Sequence, residues 1–164
     1  MGKRYKEDKL MLRLEKMSKE DFDIIKGKMI ADYAKDKVRV GHWSEEEALE
    51  LSKEALGKIL KDGIATPNHY LLNAFDGEIK VGFIWMNTFN EEIFINDTCI
   101  FDDYRNKEYE INFIKVIEEK ANELNIKKIN IHSYGYNEKN IEVYTEMGYD
   151  ITDVYLNKGI EKKN

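Results

Sequence analysis

Two apolar runs of strand character, "EIFINDTCIF" at 92–101 and "KKINIHSY" at 127–134, enclose a segment whose apolar positions Ile111, Ile114, Ile117, Ala121 and Leu124 recur three or four apart. That spacing puts all five on one helical face, so a helix is predicted from about Glu108 to Leu124. A strand, a crossover helix and a second strand can lie parallel in one sheet only if the helix packs on that sheet. This unit restricts the chain to an α/β architecture and excludes a helical bundle or an all-β sandwich.

The remaining elements fit around the unit. Leu10, Leu12 and Leu14 alternate with Met11, Arg13 and Glu15, which predicts a first strand. Ser18 caps a helix with Asp21 three residues on, and Phe22, Ile25, Met29 and Tyr33 form its stripe. Ser44 and Glu47 repeat the capping pattern for a second helix reaching about Leu60. Between the helices, a loop carrying Tyr33, Arg39, His42 and Trp43 either lines a pocket or pins the helix pair. After Pro67, "HYLLNAF" and "KVGFIWMN" flank an Asp76–Gly77 pair and read as a hairpin. A helix from Asn137 to Met147 closed by Gly148, and a last strand "DVYLNK" at 153–158, complete the chain. The expected fold is α/β, with a mostly antiparallel mixed sheet flanked by helices in the order β α α β β β α β α β.

The chain's 164 residues show no repeat and no linker. The expectation is one domain over 10–164, burying roughly 70% of its unfolded surface, behind a flexible, solvated arm at 1–9. With 26 basic and 32 acidic side chains the formal charge is -6, which disfavours nucleic acid as a partner. Cys99 is the sole cysteine, so no internal disulfide is possible. No apolar run approaches a membrane span, and a cytoplasmic location without a membrane partner is expected.

A strand that turns into a helix sets unpaired amides and the positive end of the helix dipole at the strand's carboxyl end, where anions bind. The approach "INDTCIFDDYR" and the later "NEKNIEVYTEMGY" together resemble the GCN5-related N-acetyltransferases, the GNAT family. Asn137, Tyr144, Gly148 and Tyr149 match the late motif, while Asn140 stands where alanine is common. The element order matches from about Leu10 to Lys158. The resemblance implies a GNAT-like fold and acetyl-CoA as cosubstrate, with the turn at Arg105, Asn106, Lys107, Glu108, Tyr109 and Glu110 receiving its diphosphate. It further implies that the main chain of Cys99 and Ile100 pairs with the pantetheine arm, that Asn137 belongs to the cofactor site, and that Tyr144 is the acid that protonates the departing thiolate.

The departure is equally specific. The family's turn reads Arg or Gln, two residues, Gly, one residue, then Gly or Ala; here Glu108 and Glu110 occupy both small positions. Each adds a side chain and a negative charge beside an anionic ligand. Like charges about 4 Å apart cost roughly 1 kcal/mol in water and about 4 near a protein surface. Either the two side chains point outward and the amides still serve, or the site has closed to CoA. The corresponding functions are acetyl transfer to a primary amine of a small molecule or peptide by direct attack in a ternary complex, or a non-catalytic GNAT-like binding or regulatory role.

Asp97 interrupts an apolar strand, on the face shared by Ile95 and Cys99, where a carboxylate without a partner is costly. It is either a base or amine-binding group, or a carboxylate satisfied by a neighbouring loop. Cys99 reads as a small core hydrophobe rather than a nucleophile. His132 has no further ligand at metal spacing, so no metal is expected. An exposed terminal strand offers a route to a homodimer.

Overall fold

A computed structural model describes residues 11–160. The elements run β1 (Leu12–Lys16), α1 (Lys19–Arg39), α2 (Glu45–Ile59), β2 (His69–Asp76), β3 (Ile79–Phe89), β4 (Glu92–Ile100), α3 (Lys107–Glu123), β5 (Lys128–Ile131) and α4 (Glu138–Glu146). Single 3-10 turns occupy Gly63–Ala65 and Asp102–Tyr104. The five strands lie in the order β1-β2-β3-β4-β5. Pairing is antiparallel up to β4, and β4 with β5 is parallel, as the crossover through α3 requires. The arm at 1–9 and the predicted first-strand residue Leu10 lie outside the described residues.

The sheet is covered on both faces. Leu71, Phe83 and Trp85 point to one side and meet Met17, Phe22, Met29, Leu56 and Leu60, largely from α1 and α2. Leu72, Ile84 and Met86, their neighbours in sequence, point to the other side and meet Phe113, Val116, Ile117 and Ala121 of α3. Successive side chains of a strand leave opposite faces, so β2 and β3 can be apolar throughout only because helices cover both. On the outer flank of α3, Ile114 packs with Val143 and Tyr144 of α4.

Polar ties hold the first helix pair in place. The amide of Asp21 donates to Ser18 Oγ at 3.0 Å, which is the expected cap. The Asp21 carboxylate accepts from Asn73 Nδ2 at 2.8 Å and from Lys80 Nζ at 2.7 Å, fixing the start of α1 to β2 and β3. Lys80 and Asn73 hold the Asp21 carboxyl below the ordinary range. Ser52, fully buried on α2, donates to the carbonyl of Ile30 at 2.7 Å. At the start of α2, Ser44 Oγ donates to Glu47 Oε2 at 2.8 Å, so its side chain does not cap the helix as the pattern predicts.

Three boundaries differ from expectation. β1 begins at Leu12 and runs on to Lys16. α1 continues through Arg39, placing Arg39 on the helix rather than in the loop, because Ala34 and Val38 prolong the covered stripe beyond Tyr33. The last predicted strand, 153–158, is not formed: residues 149–160 have no regular structure and 150–160 are exposed. Val154, Tyr155 and Leu156 are consecutive, so no single face is apolar, and within one chain the segment meets no strand edge.

Candidate active site

Asn96 is a bulge residue. Trp85 pairs with Asp97 while the next residue, Met86, pairs with Ile95, so β4 carries one residue more than β3 at this point. Such a bulge bends its strand. β5 accompanies β4 only from Glu92 to Ile95, and the chain leaves the sheet after Ile131. From Asp97 to Ile100, β4 therefore pairs with β3 on one side and with no strand on the other. The main-chain groups on that side of β4 are left without a strand partner and are able to accept an added extended chain. Gly82 sets the far end of this edge: a Cβ there would stand 2.0 Å from the carbonyl oxygen of Cys99 and 2.9 Å from Phe113 Cζ.

Below the opening, α3 begins. No residue from Phe101 to Glu110 has a positive φ, and Phe101, Arg105 and Asn106 lie at -64°, -73° and -154°. The turn thus places no torsional demand for glycine on its residues, and Glu108 and Glu110 occupy ordinary first-turn helical positions, which the dipole favours. Asn106 Oδ1 accepts from the Tyr109 amide at 3.0 Å, and the Asn106 carbonyl accepts from Glu110 at 3.1 Å. The amides of Lys107 and Glu108 are left as the helix's first two donors without a carbonyl inside it. Tyr109 Oη donates to Asp76 Oδ2 at 2.7 Å, pushing the phenol up to about 12 and tying this corner to the end of β2. Both nearby cations have acidic partners: Lys107 with Glu146 at 2.8 Å, Arg105 with Asp102 at 3.3 Å.

On the α4 side, Tyr144 is 9% exposed and its ring meets Tyr149 edge-on at 5.1 Å. Burial chiefly raises its phenol far above the usual range, with Tyr149 and Glu110 adding to the effect and Thr98 opposing it. Asn137 sits at the start of α4 and makes no side-chain cap. Ser133 Oγ and Asn140 Oδ1 are buried without a protein partner.

Asp97 stands where β4 bends away. Burial, and then the nearby Asp32 carboxylate, push its carboxyl up to about 6, against the pull of Lys28. Lys28, Asp32 and Asp36 succeed one another at four-residue intervals along α1, and Lys28 Nζ reaches Asp32 Oδ2 at 2.5 Å. Tyr136 Oη donates to Asp36, the Arg39 guanidinium lies 3.6 Å from the centre of the Tyr136 ring, and Tyr134 stacks on Tyr136 at 5.6 Å. One wall of the opening is thus acidic and aromatic.

Comparison with known proteins agrees with this layout. A family model described as an acetyltransferase (GNAT) domain matches residues 14–164. The chain belongs to the GNAT acetyltransferase family. The Bacillus subtilis (strain 168) protein described as uncharacterized N-acetyltransferase YycN is 30% identical over 155 residues, covering 91% of this chain and 99% of its own. YdgE of the same strain, described in the same words, is 28% identical over 151 residues, covering 88% of this chain and 96% of its own. The crystal structure of YycN superposes with a TM-score of 0.89 at 28% identity, covering 93% of this chain and all of the other. A more distant fold relative, PaiA N-acetyltransferase from Thermoplasma acidophilum in complex with coenzyme A, has a TM-score of 0.62 at 18% identity over 88% of this chain and 92% of its own.

In this GNAT domain the predicted site residues fall in two groups. Asp97, Cys99 and Ile100 line the free β4 edge, and Arg105 to Glu110 form the turn and first helical residues beside it. Tyr144 approaches from α4, near enough to Thr98 and Glu110 for both to act on its phenol. Asn137 is exposed at the head of α4, and its amide donates to the Tyr134 carbonyl at 2.9 Å. The Cys99 thiol is half-buried and raised chiefly by burial, in keeping with a packing role. Of the loop residues, Trp43 packs edge-on against Tyr33 at 5.3 Å with Lys37 over both rings, so it pins the end of α1. Asp32, Asp36, Tyr134 and Tyr136 escaped the sequence reading. Their signal was the four-residue spacing on α1 and the alternating tyrosines after β5, both of which also describe ordinary surfaces.

Proposed function

We propose that this GNAT domain transfers an acetyl group from acetyl-CoA to a primary amine of a small molecule or peptide, by direct attack of the amine in a ternary complex. The observation that carries this reading is Asp97: a carboxyl raised to about 6, at a strand bulge beside an unpaired β4 edge. A base with that value is ionised at neutral pH and still basic enough to accept a proton from an ammonium group as it becomes nucleophilic. Asp32 and Asp36 add negative charge to the same wall, which favours an acceptor that arrives protonated.

The residues present fit the cosubstrate unevenly. The free edge from Asp97 to Ile100 suits the pantetheine arm, and Ser133 Oγ beyond β5 and Asn140 Oδ1 on α4 are buried with unfilled hydrogen-bonding capacity. The diphosphate end would rest on the Lys107 and Glu108 amides with the helix dipole behind them, opposed by the charges of Glu108 and Glu110. Acetyl-CoA supplies an activated thioester. Asp97 takes the amine's proton, directly or through water. Tyr144, whose buried phenol holds its proton, donates a hydrogen bond to the departing thiolate, which takes its proton from solvent as CoA leaves.

A turnover assay that follows free CoA thiol across a panel of amines tests the reading. Asp97→Asn should abolish the rise in kcat/KM through about pH 6, and Tyr144→Phe should lower kcat with little change in CoA affinity. Wild-type protein that binds acetyl-CoA but acetylates no amine would overturn it.

A second reading, a GNAT scaffold with weakened or lost CoA binding, is favoured by one observation: Arg105 and Lys107 already have acidic partners beside the two glutamates. Thermal shift separates the two, because a ligand that binds only the folded state raises Tm with its concentration. No shift at millimolar acetyl-CoA, together with a shift in the Glu108→Gly, Glu110→Gly variant, selects the second reading.

A further inference from the structure

We infer, on the acetyl-transfer reading above, that His69 and Trp85 are positioning residues for Asp97: His69 holds the Trp85 indole so that its hydrocarbon edge stays against the carboxyl proposed as the base. Leu71, Trp85 and Asp97 are direct partners across β2, β3 and β4 and so form one row. Directly opposite residues share a face and hold their Cβ atoms about 5 Å apart. The face is the one covered by α1 and α2, because Leu71 and Trp85 pack there and Lys28 and Asp32 of α1 act on Asp97. Ile95, two residues before Asp97, packs with α3 on the other face. Without the extra residue Asn96 the two would share a face, so the bulge is what brings Asp97 beside Trp85.

Trp85 is 6% exposed, and its Nε1 donates to His69 Nδ1 at 3.0 Å, with the two rings 5.9 Å apart. Side chains of a strand stand roughly upright from the sheet, and an indole carries its N–H on one edge and its six-membered ring on the other. His69 belongs to β2. With the N–H edge turned to β2, the hydrocarbon edge is turned to β4, where Asp97 stands. An apolar edge takes water from a carboxylate and offers it no hydrogen bond, which favours the protonated form. Turned over, the same indole would present its N–H to Asp97 and favour the anion instead.

His69 decides between the two orientations. A neutral imidazole has one acceptor nitrogen, and burial lowers the His69 pKa, which keeps that acceptor available. The charged and titratable groups acting on Asp97 are Lys28, Asp32 and Asp36 of α1 and the Cys99 thiol on its own strand. All four stay in place when the indole turns, so a change at Asp97 on altering His69 reports the indole.

Carboxyl carbon NMR across pH, with no cosubstrate added, tests the proposal. In the unaltered protein Asp97 should titrate at about 6. His69→Leu removes the acceptor, and Asp97 should then hold its proton about tenfold less tightly, as a carboxylate that gains a donor does. His69→Gln, whose amide oxygen can accept from the indole, should restore most of the original midpoint. In a Trp85→Phe background, which has no N–H to direct, His69→Leu should change nothing. The rise of kcat/KM with pH should move by the same amount as the midpoint in each variant. Nitrogen NMR of the unaltered protein decides the matter even if the variants misfold: neutral His69 should carry its proton on Nε2, and a proton on Nδ1 would overturn the proposal. An Asp97 midpoint that His69→Leu leaves unmoved would overturn it too, as would an equal shift in the Trp85→Phe background. Midpoints that move as expected in a protein that acetylates no amine would sink the acetyl-transfer reading and leave the positioning of Asp97 intact.

Discussion

The hairpin side of the molecule and the split side follow opposite rules for polar groups. Around β1, β2, β3 and the helix pair, what is buried and polar has a partner: Asn73 and Lys80 on Asp21, Ser52 on the Ile30 carbonyl. Around β4, β5 and α4, Ser133 Oγ, Asn140 Oδ1 and Tyr149 Oη are buried without one, and Asp97 carries a carboxyl pushed well above its ordinary value. Both sides share one sheet. One side is closed on itself, and the other keeps unfilled hydrogen-bonding capacity, as the proposed ligand site requires.

Gly82 lies where the two sides join, so changing it should break the contrast most severely. In Gly82→Ala the new methyl carbon must displace the Cys99 carbonyl, which is main chain, and Phe113 behind it. Overpacking of this kind costs about 3 kcal/mol or more, because no flexible side chain can yield. Chemical denaturation should show that loss, and the variant should also lose CoA binding as the β4 edge moves.

Asp97→Asn should act in opposite directions on stability and activity. The folded chain retains the Asp97 proton up to about pH 6, whereas an unfolded carboxyl releases it near 3.8. Wild-type stability thus falls as pH rises between roughly 4 and 6 and stays lower above. Asparagine removes that slope and should make the protein more stable at pH 8 by up to about 3 kcal/mol, since each tenfold change in proton affinity corresponds to roughly 1.4 kcal/mol. Turnover should fall by about 10²–10⁴-fold. An unaltered pH profile would show that Asp97 does not titrate in this range.

Asp21→Ala samples the scaffold side. It leaves the buried Asn73 amide and the Lys80 ammonium without their acceptor, a loss of about 1–3 kcal/mol. The sign with pH is the reverse of that at Asp97: a depressed carboxyl stabilises above its ordinary value of 3.8, and the contribution disappears as pH falls through the folded value. Acid titration of Tm in wild type and variant should converge at low pH.

The smallest expected change concerns the turn. Glu108→Gln with Glu110→Gln removes the charges but keeps the helix, and should tighten CoA by about tenfold if repulsion is the obstacle, equivalent to about 1.4 kcal/mol. Further tightening in the glycine pair would assign the remainder to bulk. Affinities from titration calorimetry at low and high salt separate the two, since only the charge effect is screened.

Much of this was legible because it is local. Strand, turn and helix from Glu92 to Leu124 follow from periodicity within one segment, and Asp97 stands out because a carboxylate inside an apolar run is costly wherever it points. Asp32 and Asp36 did not stand out: their spacing on α1 is that of a solvated helix face, and only tertiary packing turns it toward Asp97. Asn106 shows a finer limit, since a helix-capping side chain and a ligand-binding one look alike in sequence. The run at 153–158 has the residues of a strand, but a strand is defined by its neighbour, and residue types do not supply one.

Every residue of the β4–α3 corner sits in torsions open to any L-amino acid, so the architecture there does not depend on which side chains stand at 108 and 110. Glycine or glutamate can stand at 108 and 110 without any change of backbone torsion, so the side chains presented at this corner can be altered while the framework stands still.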